Sequence, residues 1–123
     1  MRILVVDDDA DIRAILGMVL AAEGHEVETA ADGVAALARL RGGPRPSLIL
    51  LDMMMPLLDG EGFLRELRSD PGTAGVPVVI LSGHPAGGRK ASELGAAGYL
   101  AKPVELVELI GAVERAGGAA PAP

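Results

Sequence analysis

Ser47-Leu48-Ile49-Leu50-Leu51-Asp52, running on into Met53-Met54-Met55-Pro56, is the stretch on which the fold turns. Four consecutive apolar residues without polar alternation predict a short strand buried on both faces, the kind found in parallel sheets with helices on either side. In such sheets a carboxylate at the C-terminal end of a strand, just before a loop, stands where ligands bind. Asp52 holds that place, although an aspartate there also serves as an ordinary loop starter or helix cap.

Working outward, the same pattern recurs. Ile3-Leu4-Val5-Val6 is a second buried run, closed by Asp7-Asp8-Asp9, and Ile12, Ile15, Leu16, Val19 and Leu20 then follow helical spacing. Gly24 ends that helix, His25 to Thr29 alternates weakly as a shorter strand, and Asp32 can cap a helix carrying Val34, Leu37 and Leu40. Gly42-Gly43-Pro44-Arg45-Pro46 breaks the chain before the Asp52 strand. Beyond it, Asp59-Gly60 opens a helix with Phe63, Leu64 and Leu67 that stops at Asp70-Pro71-Gly72. Pro77 to Leu81 is the next strand, ending at Ser82-Gly83. Arg89 to Leu94 reads as a short helix, and Gly98-Tyr99-Leu100-Ala101 as a fifth strand before Lys102-Pro103. Leu106, Leu109, Ile110 and Val113 form the inward stripe predicted for the last helix. A domain over residues 1–116 is expected, followed by a flexible Gly/Ala/Pro-rich tail over 117–123.

Composition narrows the function. A chain of 123 residues is long enough for one cored domain, and the absence of cysteine removes disulfides, thiolate metal sites and thiol nucleophiles. The longest apolar runs fall well short of the roughly 18 residues a membrane span needs. A formal net charge of -6 argues against the domain itself holding nucleic acid, which relies on concentrated Lys and Arg. A cytoplasmic protein is expected, with no membrane or nucleic-acid contact of its own.

Five strands alternating with five helices specify an α/β fold: a flavodoxin-like (βα)5 three-layer sandwich with a parallel sheet in order 2-1-3-4-5. The first and third strands are then neighbours, and the crevice at their C-terminal ends is the switch point where ligands bind. Asp7, Asp8 and Asp52 meet there, with Ser82 and Lys102 on the same rim. Three close carboxylates repel one another, which a hard divalent ion relieves; oxygen-only ligands favour Mg²⁺ keeping several waters, with Mn²⁺ as a substitute. A metal, a lysine, a hydroxyl and a nucleophilic carboxylate are what transfer of a phosphoryl group to a carboxylate oxygen needs.

Leu4-Val5-Val6-Asp7-Asp8, Leu51-Asp52-Met53-Met54-Met55-Pro56, Asp59-Gly60, Leu81-Ser82-Gly83 and Gly98-Tyr99-Leu100-Ala101-Lys102-Pro103 together resemble, in order and spacing, the motifs of the response-regulator receiver domain. The resemblance runs from about Arg2 to Ala116. It implies that Asp52 is the phosphoacceptor, Asp8 a direct Mg²⁺ ligand, Asp7 a ligand largely through water, and the Met54 backbone carbonyl another ligand. Lys102 would pair with the phosphoryl group and Ser82 turn toward it. The donor implied is a histidine kinase or phosphotransfer protein, and the output a downstream protein target met through the face of the fourth and fifth helices. A monomer or weak homodimer is expected, acting as a signalling switch that assists its own phosphorylation and dephosphorylation rather than as an enzyme.

Each assignment has a plainer rival. Asp7 and Asp8 can serve the helix macrodipole, and Asp9 in the same run reads better as a cap. Lys102 can be a solvated loop lysine, and Ser82 a turn cap. Tyr99 is either an aromatic switch that swings inward with the hydroxyl residue or plain packing on an edge strand. His84, two residues past Ser82, stands near the pocket mouth, where family variation tunes phosphoryl lifetime, or is an ordinary loop residue. The three methionines read as gap fillers.

Some features depart from the family pattern. Ser82 stands where Thr is commoner, Gly83 where Ala is usual, and the segment from Gly83 to Gly98 is glycine-rich and about two residues short, so the fourth helix is expected to be short or mobile. Two other classes use similar parts. An Mg²⁺-dependent phosphatase with an aspartyl nucleophile commonly pairs it with a second Asp two residues on, where this chain has Met54. A flavin or nucleotide module would need a Gly-rich phosphate loop where Asp7 to Asp9 stand. The output is unread: the chain is either a stand-alone receiver or a receiver cut from a longer protein.

Overall fold

A computed structural model describes residues 1–118 of the chain. Ten elements alternate: β1 (Arg2–Val6), α1 (Ala10–Ala22), β2 (Glu26–Ala30), α2 (Gly33–Gly42), β3 (Leu48–Asp52), α3 (Gly60–Ser69), β4 (Val78–Ser82), α4 (Gly87–Glu93), β5 (Gly98–Ala101) and α5 (Leu106–Gly118). The strands form one parallel sheet in the order β2-β1-β3-β4-β5, as expected. β3 is buried at all five positions, so its lack of alternation reflects helices on both faces.

The pleat divides the core in two. Leu48 and Leu50 point to one side with Ile3, Val5, Leu16, Leu20, Leu109 and Val113, packing α1 and α5 against the sheet. Ile49 and Leu51 point to the other with Leu4, Val6, Phe63, Leu64, Leu67 and Ile80. Each fully buried Leu or Ile contributes about 1.5–3 kcal/mol of transfer free energy, so β3 alone anchors both halves. β2, on the edge, is only partly buried. Arg2 pairs there with Glu26 at 2.9 Å and Glu28 at 3.4 Å, and Arg39 with Glu28 at 3.0 Å, charges that discourage further strand pairing.

Helix starts follow the expected caps. Asp9, Asp32 and Asp59 each accept a hydrogen bond from a backbone N–H of the first turn of α1, α2 and α3. The inward faces differ in detail. Ile15, Val34 and Leu106, placed on the apolar stripes by spacing, are exposed. In α2 the buried stripe is Gly33 and Ala36 with Leu37 and Leu40 at its margin, one residue around from the expected face, because Gly33 lets the helix start close beneath the Leu58 carbonyl. In α5 the stripe is Leu109, Ala112, Val113 and Ala116; Leu106 precedes the point where the helix settles on the sheet, and small alanines permit close approach.

α4 is short, as expected, but begins two residues before Arg89, at Gly87, and has no side-chain cap. α5 continues through Gly118, so residues 117 and 118, expected in the tail, are helical; the rest of that tail, 119–123, lies outside the described residues. At the end of the sheet away from Asp52, the Met1 side chain lies against Gly117, where a Cβ would collide with its thioether. Among the described residues no helix is long and apolar enough to cross a membrane.

Candidate functional site

Five loops leave the C-terminal ends of the strands, and the site is built from three of those strand ends. Asp7 directly follows β1 and is fully buried. Its N–H donates to the Ala30 carbonyl at 3.2 Å, tying the loop to β2, and its Oδ1 accepts the Asp9 N–H at 2.9 Å. Asp9 then turns to α1, accepting from the N–H groups of Asp11 and Ile12 at 2.9 and 3.3 Å, so the capping reading holds for Asp9. Asp8, between them, is exposed.

Asp52 ends β3 with 3% exposure. Its Oδ1 accepts the Met54 N–H at 3.3 Å, and the Gly60 N–H donates to the Met53 carbonyl at 3.2 Å, closing the loop into α3. Gly60 is required by close approach, since a Cβ would stand 2.7 Å from the Met53 Cα and 2.8 Å from the Asp52 carbonyl oxygen. Met55 fills the core, as a gap filler should, while the Met54 side chain is 73% exposed.

Lys102 reaches in after β5. Its Nζ stands 2.9 Å from Asp7 Oδ2 and 3.3 Å from Asp52 Oδ1, bridging two buried carboxylates. Burial and the Asp7 charge push the Asp52 carboxyl above its ordinary range, and Lys102 and the Met54 N–H only partly offset this. Burial alone would lower the Lys102 ammonium, but the close Asp7 carboxylate and the charge of Asp52 outweigh burial, and it is raised.

One oxygen from each of Asp7, Asp8 and Asp52 lies within 4.8 Å of the others, a spacing that can hold a metal ion. Asp7 Oδ2 sharpens the case. It is buried, is in no hydrogen bond, and has the Lys102 ammonium at 2.9 Å as its charged partner, so it faces the cluster with room for a further cation contact. Hard oxygen donors of this kind fit a hard divalent cation.

Ser82, at the end of β4, is 3% exposed. Its Oγ accepts the His84 N–H at 3.1 Å, and its carbonyl accepts the Lys102 N–H at 2.9 Å and the Tyr99 hydroxyl at 3.4 Å. Tyr99 is therefore half-buried and linked to the Ser82 backbone rather than wholly wet. His84 is exposed, and its Nδ1 accepts the Ala86 N–H at 3.0 Å. An open cleft of about 280 Å³ lies between these loops, lined by Met53, Met54, Ser82, His84 and Ala86, and Lys90 pairs with Glu61 at its edge at 2.9 Å.

The structure thus gathers Asp7, Asp8, Asp52 and Lys102 into one cluster, with Ser82 and Tyr99 joined by a separate hydrogen bond on the adjoining strands. Sequence reading missed two residues. Arg13 Nη1 donates to the Asp7 carbonyl at 2.7 Å, and Gly87 packs directly on Ser82 and Tyr99. The only signal for Arg13 was its place as the sole basic residue of α1, one turn beyond the Asp9 cap.

Comparison with known proteins agrees with this geometry. The family model described as response regulator receiver domain matches residues 3–114. The chain is 44% identical over 115 residues to response regulator PleD of Caulobacter vibrioides, covering 91% of this chain and 25% of PleD. It is 42% identical over 112 residues to response regulator MprA of Mycobacterium avium, covering 89% of this chain and 48% of MprA. The chain therefore spans a quarter to about half the length of these curated relatives. Among solved structures, chemotaxis response regulator CheY4 of Vibrio cholerae superposes with a TM-score of 0.85 at 32% identity, over 94% of this chain and 97% of that one.

Proposed function

The chain belongs to the response regulator receiver domain family, and from that membership we propose that it is a phosphorylation-controlled switch with Asp52 as phosphoacceptor. The observation that carries the reading is Lys102 Nζ standing between Asp7 Oδ2 and Asp52 Oδ1. A half-buried lysine held between two carboxylates is a preformed cationic seat for the oxygens of an incoming phosphoryl group.

An oxygen of Asp52 attacks phosphorus, the bond from phosphorus to the donor atom breaks on the opposite side, and the donor leaves with that electron pair. The donor in this reading is a phosphohistidine on a histidine kinase or phosphotransfer protein, so the bond broken is P–N and the imidazole departs. Asp52 must be ionised to attack, and Lys102 favours that state against burial. Lys102 donates to the phosphoryl oxygens, and the Ser82 hydroxyl, which only accepts from His84 N–H, keeps its proton to donate to one of them. A divalent cation, Mg²⁺ or Mn²⁺, held by Asp7, Asp8, Asp52 and the Met54 carbonyl, would supply neutralising charge at those oxygens. The carboxylate set and the buried Asp7 oxygen, which is in no hydrogen bond, support such a ligand shell.

Phosphorylation adds roughly 1.5–2 negative charges beside Ser82. Movement of that hydroxyl would pass to Tyr99 through the Ser82 backbone and to α4 through Gly87, and so to a downstream protein at the α4 and α5 face. The receiver unit is residues 1–116 with the end of α5, working in the cytoplasm as a monomer or weak dimer.

Incubation with Mg²⁺ and acetyl phosphate, read by intact-protein mass, tests the reading. One base-labile phosphoryl group is expected on the unaltered chain and none on Asp52→Ala. Equal labelling of both would sink it.

A further inference from the structure

Asp7 has four polar groups in its backbone and carboxylate, and three are pinned. The N–H donates to the Ala30 carbonyl at 3.2 Å, Oδ1 accepts the Asp9 N–H at 2.9 Å, and the carbonyl accepts Arg13 Nη1 at 2.7 Å. Oδ2 is in no hydrogen bond; it is buried and faces the cluster, with the Lys102 ammonium at 2.9 Å. Of the three restraints, two have backbone partners, the Ala30 carbonyl and the Asp9 N–H. The third is a charge-assisted bond from one half-buried arginine, the stronger type. The Arg13 backbone N–H makes the first i→i−4 bond of α1, to the Asp9 carbonyl at 3.1 Å, so the guanidinium projects from a fixed point at the far end of the loop. The guanidinium bond to the Asp7 carbonyl is thus the one restraint on this loop that depends on the arginine side chain.

We infer that Arg13 is a positioning residue for the cation site: by holding the Asp7 carbonyl, it fixes the direction in which Asp7 Oδ2 is offered to a divalent ion. The inference rests on the cation-binding part of the proposed function and extends it to a residue outside the carboxylate cluster. Groups that orient a metal ligand typically change metal affinity by about 10–100-fold when lost.

Simple electrostatics predicts the opposite sign. A guanidinium near three carboxylates repels an arriving cation, so its removal would tighten metal binding if charge were its only contribution. Positioning predicts weaker binding. Arg13→Met removes charge and donor while keeping most of the apolar stem; Arg13→Lys keeps the charge but loses the planar, forked guanidinium. Both should weaken binding if positioning dominates.

A second arginine supplies the control. Arg68 Nη1 donates to the Ala74 and Val76 carbonyls, both at 2.9 Å, pinning the loop between α3 and β4 away from the carboxylates. Arg68→Met loses guanidinium-to-carbonyl bonds of the same kind, and stability with them, without touching the site.

The experiment is Mn²⁺ binding, with Mn²⁺ alone as probe, followed by the spin-resonance signal of the free ion, alongside thermal melts in chelator. Arg13→Met and Arg13→Lys are expected to bind Mn²⁺ about tenfold or more weakly than the unaltered chain, and Arg68→Met to match the unaltered chain despite its lower melting midpoint. At saturating Mg²⁺, Arg13→Met should regain the acetyl-phosphate labelling rate of the unaltered chain, because the defect lies in holding the cation. Tighter or unchanged Mn²⁺ binding by Arg13→Met overturns the inference, as does an equal loss in Arg68→Met. A labelling defect that persists at saturating Mg²⁺ also overturns it, since Arg13 would then act on the phosphoryl group itself. Failure of the unaltered chain to bind Mn²⁺ would instead defeat the cation assignment of the proposed function.

Discussion

Gly87 sits so tightly over Ser82 that a Cβ on it would stand 2.8 Å from both the Ser82 Cβ and Oγ, and 2.9 Å from the Tyr99 ring. The first residue of α4 is thus in direct contact with the hydroxyl proposed to move on phosphorylation. Two effects oppose each other in Gly87→Ala. Helix propensity favours alanine by about 1 kcal/mol at most, and less at a helix start. Overpacking against Ser82 and Tyr99 costs about 1–3 kcal/mol and dominates. The variant should melt a few degrees lower, and its labelling rate with acetyl phosphate should fall because Ser82 is displaced. A melting point at or above that of the unaltered chain would show that the contact yields freely.

Asp52 carries a pH signature. Burial and Asp7 raise its carboxyl above the ordinary 3.8, so the fold prefers it protonated. Stability from this group is full below 3.8 and is lost as pH rises through the raised value, leaving an ionised carboxylate at neutral pH that opposes folding. In chelator, Asp52→Asn should therefore melt higher than the unaltered chain at pH 7, and the gap should close below pH 3.8. Added Mg²⁺ should narrow the gap at pH 7 by stabilising only the unaltered chain. Melts across pH with and without Mg²⁺ decide this.

Lys102→Met leaves Asp7 and Asp52 facing each other. Breaking a buried pair outright costs about 3–5 kcal/mol, but Lys102 is partly exposed and Asp52 can take up a proton, so a loss of about 1–3 kcal/mol is expected in chelator. Labelling by acetyl phosphate should slow by about 10²-fold. The raised ammonium of Lys102 contributes stability below its ordinary 10.5 that is lost as pH climbs through its raised value. The unaltered chain should weaken in that alkaline range, and Lys102→Met should lack that component.

How much of this was legible is clearest at particular positions. β3 was readable because a strand covered on both faces has no freedom to include polar residues, so Leu48 to Leu51 carry an unbroken signal. Asp9, Asp32 and Asp59 were readable because capping is local chemistry. The helix faces were less so: Ile15, Val34 and Leu106 are as apolar as their neighbours, and what exposes them is the rotation of each helix against the sheet, which a sequence stripe leaves free by one residue. Ala36, Ala112 and Ala116 are buried because the helices come close, a tertiary fact. Strand topology brought Asp7, Asp8 and Asp52 together on paper. The Arg13 bond to the Asp7 carbonyl and the packing of Gly87 on Ser82 depend on tertiary approach, which spacing does not carry.

Leu57 adopts a left-handed backbone, φ 69°, with its side chain 83% exposed. A branched apolar residue there costs about 1–2 kcal/mol of backbone energy and buries almost nothing in return. Asn tolerates this conformation with less freedom in the unfolded chain than Gly. Leu57→Asn should stabilise by about 0.5–1 kcal/mol with labelling unchanged. Urea unfolding measures it, and a loss of stability would mean that the Leu57 side chain has a packing role.

His84→Ala removes the acceptor for the Ala86 N–H at the cleft mouth. Loss of about 1 kcal/mol of loop restraint corresponds to about fivefold in a rate, so the phosphoryl adduct on Asp52 should decay several-fold faster as water enters. Identical half-lives would take the His84 side chain out of the site.

The contact between Met1 and Gly117 has a practical consequence. β1 runs from there to Asp7, a rise of about 3.3 Å per residue, and α5 spans the same height in the opposite direction. Both ends of the described chain therefore share the pole remote from Lys102 and Asp52. A short peptide bridge could join them, with new ends cut in the loop between α2 and β3, to give a circular permutant whose mouth is untouched. A fluorophore or surface tether attached near Met1 would likewise leave the approach to Asp52 open.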